Sequence, residues 1–85
     1  MISKYRKQID KIDRKLVKLI EKRMDIARCI GEYKKEYDMD ILDNEREMEI
    51  INTRTSQIKN PEYKKYAKEF FENLMCISKK VQNKR

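Results

Sequence analysis

The sequence predicts an all-α chain of three helices, the first of them very long, paired with a second copy as an intertwined homodimer. Three observations carry this. One Gly, one Pro and no Trp in 85 residues leave few of the turn residues that a small sheet needs. Charged residues make up 44% of the chain, yet the apolar ones fall at helical spacing, which marks a bundle rather than disorder. One stripe reads Tyr5, Ile9, Ile12, Leu16, Leu19, Arg23, Ile26, Ile30, Tyr33, Tyr37 in unbroken steps of four and three, the seam of a helix packed along its whole length. Residues 1–85 are expected to form a single domain.

Helix 1 is expected from about Ser3, offered as its N-cap, to about Glu36, a rod of roughly 50 Å. Gly31 lies inside its pattern, where a glycine costs about 1 kcal/mol; a helix that accepts this cost often needs another backbone close by. The aspartate-rich segment 37–42 reads as a connector. Helix 2 begins near Asp43, with Asn44 and Glu47 spaced as a capping box and Met48, Ile51, Thr55 and Ile58 as an apolar stripe. Asn60-Pro61 ends helix 2 and starts helix 3, Asn60 as N-cap and Pro61 in the first turn. Helix 3 carries a seam of Tyr63, Tyr66, Phe70, Leu74, Ile77 and Val81.

The lengths predict the dimer. A compact chain of this size has a radius of gyration of about 12 Å. One short and one medium helix cannot cover a seam as long as helix 1, whereas a second copy can, in a two-fold arrangement.

Arg23 is the only seam position that is neither apolar nor aromatic. A guanidinium on a packed seam is costly unless an anion meets it. Either an acidic side chain pairs with it or the fold keeps a pocket there for an anionic ligand. Lys34 is three turns further along the same face, about 16 Å away, with Gly31 between them leaving space. Arg6 is about 25 Å from Arg23 along the rod and can reach the same ligand only from the partner of an antiparallel dimer. Asp43, Arg46 and Glu47 cluster at the start of helix 2, and Ser78 and Gln82 share one face of helix 3. Taken singly, Glu47 reads as a capping residue, Arg46 as a surface residue and Lys34 as one lysine among many; as a set they describe a cationic site for a small dianion that carries a hydroxyl.

Composition narrows the chemistry. With no histidine, imidazole bases, Ser-His or Cys-His nucleophiles and histidine-ligated metals are excluded. Cys29 and Cys76 lack metal or disulfide-scaffold spacing and read as reduced, half-buried thiols. No apolar stretch suits secretion or a membrane span, so the expected location is cytoplasmic. The +7 net charge fits an anionic partner, but the lysines are scattered rather than clustered.

The order and spacing of Arg6, Arg23 in Glu-Lys-Arg, Lys34 after Gly31-Glu32-Tyr33, Asp43 with Arg46-Glu47, and Ser78 and Gln82 resemble the all-helical chorismate mutases over nearly the whole chain. The resemblance implies a cofactor-independent isomerase of aromatic amino acid biosynthesis, at the branch point of the shikimate pathway, that rearranges chorismate to prephenate without metal, nucleophile or proton shuttle. It also implies a homodimer whose two sites each take one arginine from the other subunit. Arg6 from the partner and Arg23 would hold the substrate carboxylates, with Arg46 and Ser78 completing that side. Lys34 and Gln82 would donate to the ether oxygen. Glu47, with the backbone near Asp43, would hold the ring hydroxyl. An isochorismate-pyruvate lyase on the same fold would use the same cations. A basic helical module binding nucleic acid or protein would instead need exposed arginines clustered on one face, and a plain coiled-coil scaffold leaves Arg23 and Gly31 unexplained. The resemblance therefore favours a small dianionic substrate, with no nucleic acid, membrane or metal involved, and no regulatory domain within 85 residues.

Overall fold

The computed structural model describes residues 1–84. It contains α1 (Ile2–Glu36), α2 (Asn44–Ser56), a single 3-10 turn (Pro61–Tyr63) and α3 (Lys64–Gln82), with no strand among the described residues. α3 packs on both other helices, while α1 and α2 do not approach each other through their backbones. The chain is elongated, 54 Å in its longest dimension, and its radius of gyration of 15.7 Å exceeds the value expected of a compact chain of this length.

The helix boundaries follow the sequence closely and the caps less so. α1 starts at Ile2, so Ser3 lies inside it, and Met1 precedes it without a side-chain cap bond. Its far end closes as a Schellman motif. The Asp38 N–H donates to the Lys35 carbonyl (3.3 Å) and the Met39 N–H to the Lys34 carbonyl (2.7 Å). Asp38 takes the left-handed conformation (φ 53°) that glycine usually supplies at this position, which is why the stop is hard to read from residue types. At α2 the cap is Asp43, whose Oδ1 accepts from the Arg46 N–H at 3.1 Å. This corrects the expected capping box. With the cap at Asp43, Glu47 is one residue too far into the helix to close a box, and its carboxylate is released toward α3. Asn60 caps as expected, accepting from the Glu62 N–H at 3.0 Å, but the turn it opens is 3-10 before α3 begins.

Packing inside the chain uses a different face from the expected seam. Ala27 and Met75 are the buried apolar side chains among the described residues. On α1 the covered positions are Arg23, which belongs to the seam, and Ala27, Gly31 and Lys34 beside it; the seam residues Ile26, Ile30 and Tyr33 remain exposed. On α3 the inward positions are Ala67, Phe71, Leu74, Met75, Ser78 and Gln82, while Tyr63, Tyr66, Phe70 and Ile77 of the expected seam face outward. On α2 Met48 is likewise exposed, and Glu47, Ile50, Ile51, Arg54, Thr55 and Ile58 turn inward. Gly31 has the close neighbour its position suggests. A Cβ there would collide with the carbonyl oxygen of Gln82 and lie 2.8 Å from its Cα. The room beside Gly31 is thus filled by the last turn of α3 and not left for a ligand. Cys29 and Cys76 are free, as expected, but exposed rather than half-buried. Cys29 lies two residues from Ala27, on the opposite side of α1, and Cys76 one step off the inward line of α3.

Candidate functional site

A hollow of about 480 Å³ opens between the second half of α1, the connector, the start of α2 and the end of α3. Its size is in the range of small-molecule sites. Arg23 and Lys34 line it from α1 and Asp43, Arg46 and Glu47 from α2; Ser78 and Gln82 line it from α3. These seven expected positions are brought together from three helices. Ile26, Ala27, Ile30, Ile41, Ile50 and Met75 supply an apolar floor. Lys79 also lines the hollow, so that four cations meet two carboxylates around it.

Among the described residues Arg23 has no carboxylate partner; its Nη1 donates to the Ser78 Oγ at 3.3 Å. Partial burial, and then the charges of Arg54 and Arg46, push its pKa down from the ordinary guanidinium value. An arginine remains charged at neutral pH regardless, so the shift means that the fold holds this cation at a cost. An anion arriving between Arg23 and its neighbours would relieve that cost, and its binding free energy would add to stability.

The other groups are held in identifiable ways. Lys34 Nζ donates to the Ile41 carbonyl at 3.0 Å, which ties the end of α1 to the connector and leaves two ammonium protons for a ligand. Arg46 Nη1 pairs with Glu49 Oε1 at 3.0 Å, with both side chains more than half exposed. Such a surface pair is worth about 0.5 kcal/mol and is easily exchanged for a ligand carboxylate. Gln82 is buried, set by the contact between its own backbone and Gly31, and its Oε1 has no hydrogen-bond partner. Glu47 Oε1 meets Lys79 Nζ at 3.0 Å across the α2–α3 gap.

Arg6 is the one expected site residue that this chain does not bring to the hollow. It is on the first part of α1, where residues 2–19 are all exposed. Two residues escaped the sequence reading. Lys79 sits beside Ser78 and three residues before Gln82, so helical spacing alone places it at the site. Arg54 is half-buried on the inward stripe of α2, the same signal that singles out Arg23.

Four cations around a half-open hollow, two of them in ion pairs and two in hydrogen bonds to neutral groups, have the chemistry to meet a small anion. The sequence matches the family described as chorismate mutase type II over residues 5–83, and the chain belongs to that family. No curated protein matches it, and no solved structure matches it. Among the described residues no helix is long and apolar enough to cross a membrane.

Proposed function

We propose that this protein rearranges chorismate to prephenate in the hollow described above, as an antiparallel homodimer that completes each site with Arg6 of the other chain. The observation that carries the reading is Arg23, half-buried and lined up with Lys34, Ser78 and Gln82 around one hollow, with no carboxylate paired to it among the described residues. The family membership supports the substrate, and the four lining cations suit its two carboxylates.

The reaction is a unimolecular Claisen-type rearrangement. It needs the enolpyruvyl side chain folded over the ring, and positive charge where the ether oxygen gains electron density as the C–O bond lengthens. In this reading Arg23, Arg46, Ser78 and the partner's Arg6 hold the carboxylates and select the folded conformer. Lys34 and Gln82 donate to the ether oxygen. Glu47 and the backbone at Asp43 take the ring hydroxyl. Fixed donors aimed at a developing oxyanion are typically worth about 3 kcal/mol each.

The dimer rests on exposed apolar surface. Ile9, Ile12 and Leu19 are 57%, 58% and 61% exposed along one face of α1. A second α1 laid against it would cover this face and carry Arg6 to the hollow.

The test is to mix purified protein with chorismate and follow the loss of its diene absorbance together with prephenate formation. Lys34→Ala is expected to slow turnover by about two orders of magnitude with the helical content unchanged. Wild-type protein inert toward chorismate, or pyruvate released from isochorismate instead, would overturn the assignment.

A further inference from the structure

Lys79 stands apart from the cations on which the resemblance rests. It lines the hollow, projects from the inward side of α3 between Ser78 and Gln82, and meets a carboxylate that also lines the hollow. The Lys79 and Glu47 side chains are 36% and 19% exposed, against 55% and 65% for the Arg46–Glu49 pair at the surface. This contact joins two helices at the rim of the site, where solvent screening is weaker than at an open surface. Only one Glu47 oxygen, Oε1, is in the 3.0 Å contact. The second keeps its lone pairs for a ligand hydroxyl.

Glu47 is also an electrostatic problem. A bare carboxylate on the wall of a site for a dianion repels the ligand, and one free to swing does not present a fixed acceptor. Lys79 answers both. Its ammonium cancels the carboxylate's charge as seen by an incoming dianion, and it draws the side chain toward α3 and away from the N-terminus of α2. No other cation is bonded to Glu47 among the described residues.

We propose that Lys79 is a positioning residue of this site: paired with Glu47 across the α2–α3 gap, it fixes the carboxylate as the acceptor for the ligand's hydroxyl and neutralises it toward the ligand's own negative charge. This inference rests on the chorismate reading of the hollow. It adds that substrate binding here depends on an ion pair within the wall.

The test is a double-mutant cycle on the full-length protein with chorismate, comparing wild type, Lys79→Met, Glu47→Gln and the double variant, with Lys79→Arg as the conservative replacement. Lys79→Met is expected to raise KM by about tenfold with kcat within about twofold, and Lys79→Arg to recover most of the loss. In the Glu47→Gln background no carboxylate remains to be positioned, so Lys79→Met should raise KM by about threefold or less, the part owed to the loss of one positive charge facing the dianion. An equal KM effect in both backgrounds, or none in either, would overturn the role of Lys79 while leaving the mutase reading intact. A general loss of packing would instead lower the melting temperature and fail to follow the Glu47 background. A wild-type protein without turnover would remove the reading itself, and this role with it.

Discussion

The two halves of α1 carry the same seam and meet different fates. From Ile20 to Glu36 the helix has a second face beside the seam, where Ala27 and Gly31 are small enough for α3 to settle on it. From Ile2 to Leu19 every residue is exposed. Small residues decide the difference. Where they occur, two backbones close together and polar groups from separate helices converge on one hollow. Where they do not, the chain leaves a continuous apolar strip, Ile9, Ile12, Leu16 and Leu19, open. One half is therefore the wall of a site, and the other is a surface looking for cover. A second copy is the cover we propose, since the bare half also carries the arginine missing from the hollow.

The largest expected effect comes from the bare half. Leu16→Glu should abolish turnover by separating the chains. Each apolar side chain that an interface buries is worth roughly 1.5–3 kcal/mol, and replacing it with a carboxylate reverses the sign. Sedimentation should show a monomer, and an unchanged oligomeric state with normal activity would remove the comparison's meaning.

The next prediction uses both halves at once. Arg6→Ala and Lys34→Ala should each be nearly inactive. Mixed, unfolded and refolded together, they should recover about a quarter of wild-type activity, because half of the dimers are mixed and each has one intact site. No recovery in the mixture would mean that Arg6 does not serve the opposite chain.

Gly31→Ala sharpens the comparison from the covered half. Its Cβ would meet the Gln82 backbone, which cannot move aside as a side chain could. We expect a loss of about 1–3 kcal/mol by thermal or urea unfolding, with a further loss of activity as Gln82 is displaced. A neutral result would mean that α3 does not sit tightly on α1.

The smallest effect belongs to the end of the covered half. Asp38→Gly should stabilise the protein by about 1 kcal/mol, because glycine takes the left-handed conformation without the cost a side chain incurs. Unchanged stability would place the gain in the flexibility that glycine adds to the unfolded chain.

Much of this was legible beforehand. The three helices followed from spacing, and spacing with the family resemblance singled out Arg23, Lys34, Asp43, Arg46, Glu47, Ser78 and Gln82, which line one hollow. What could not be read was which of two adjacent faces each helix turns inward. On α1 Ile26 and Ile30 stay exposed in the floor of the hollow while Ala27 and Gly31 are buried, and on α3 Tyr66 and Phe70 stay outside while Ala67, Phe71 and Met75 turn inward. Hydrophobicity ranks faces by what they lose in water, but close approach of two helices is governed by the size of the residues between them.

The sequence by itself determined the helices and the charged residue types available to the hollow, because periodicity and charge are local properties of the chain. Only the tertiary structure decided that Gly31 receives the backbone of Gln82, that Glu47 is freed from capping to meet Lys79, and that Arg23 finds the Ser78 hydroxyl. Each of these depends on where one helix stops and how far it slides along another. A shift of one residue turns a helical side chain by about 100° and sends it to a different neighbour.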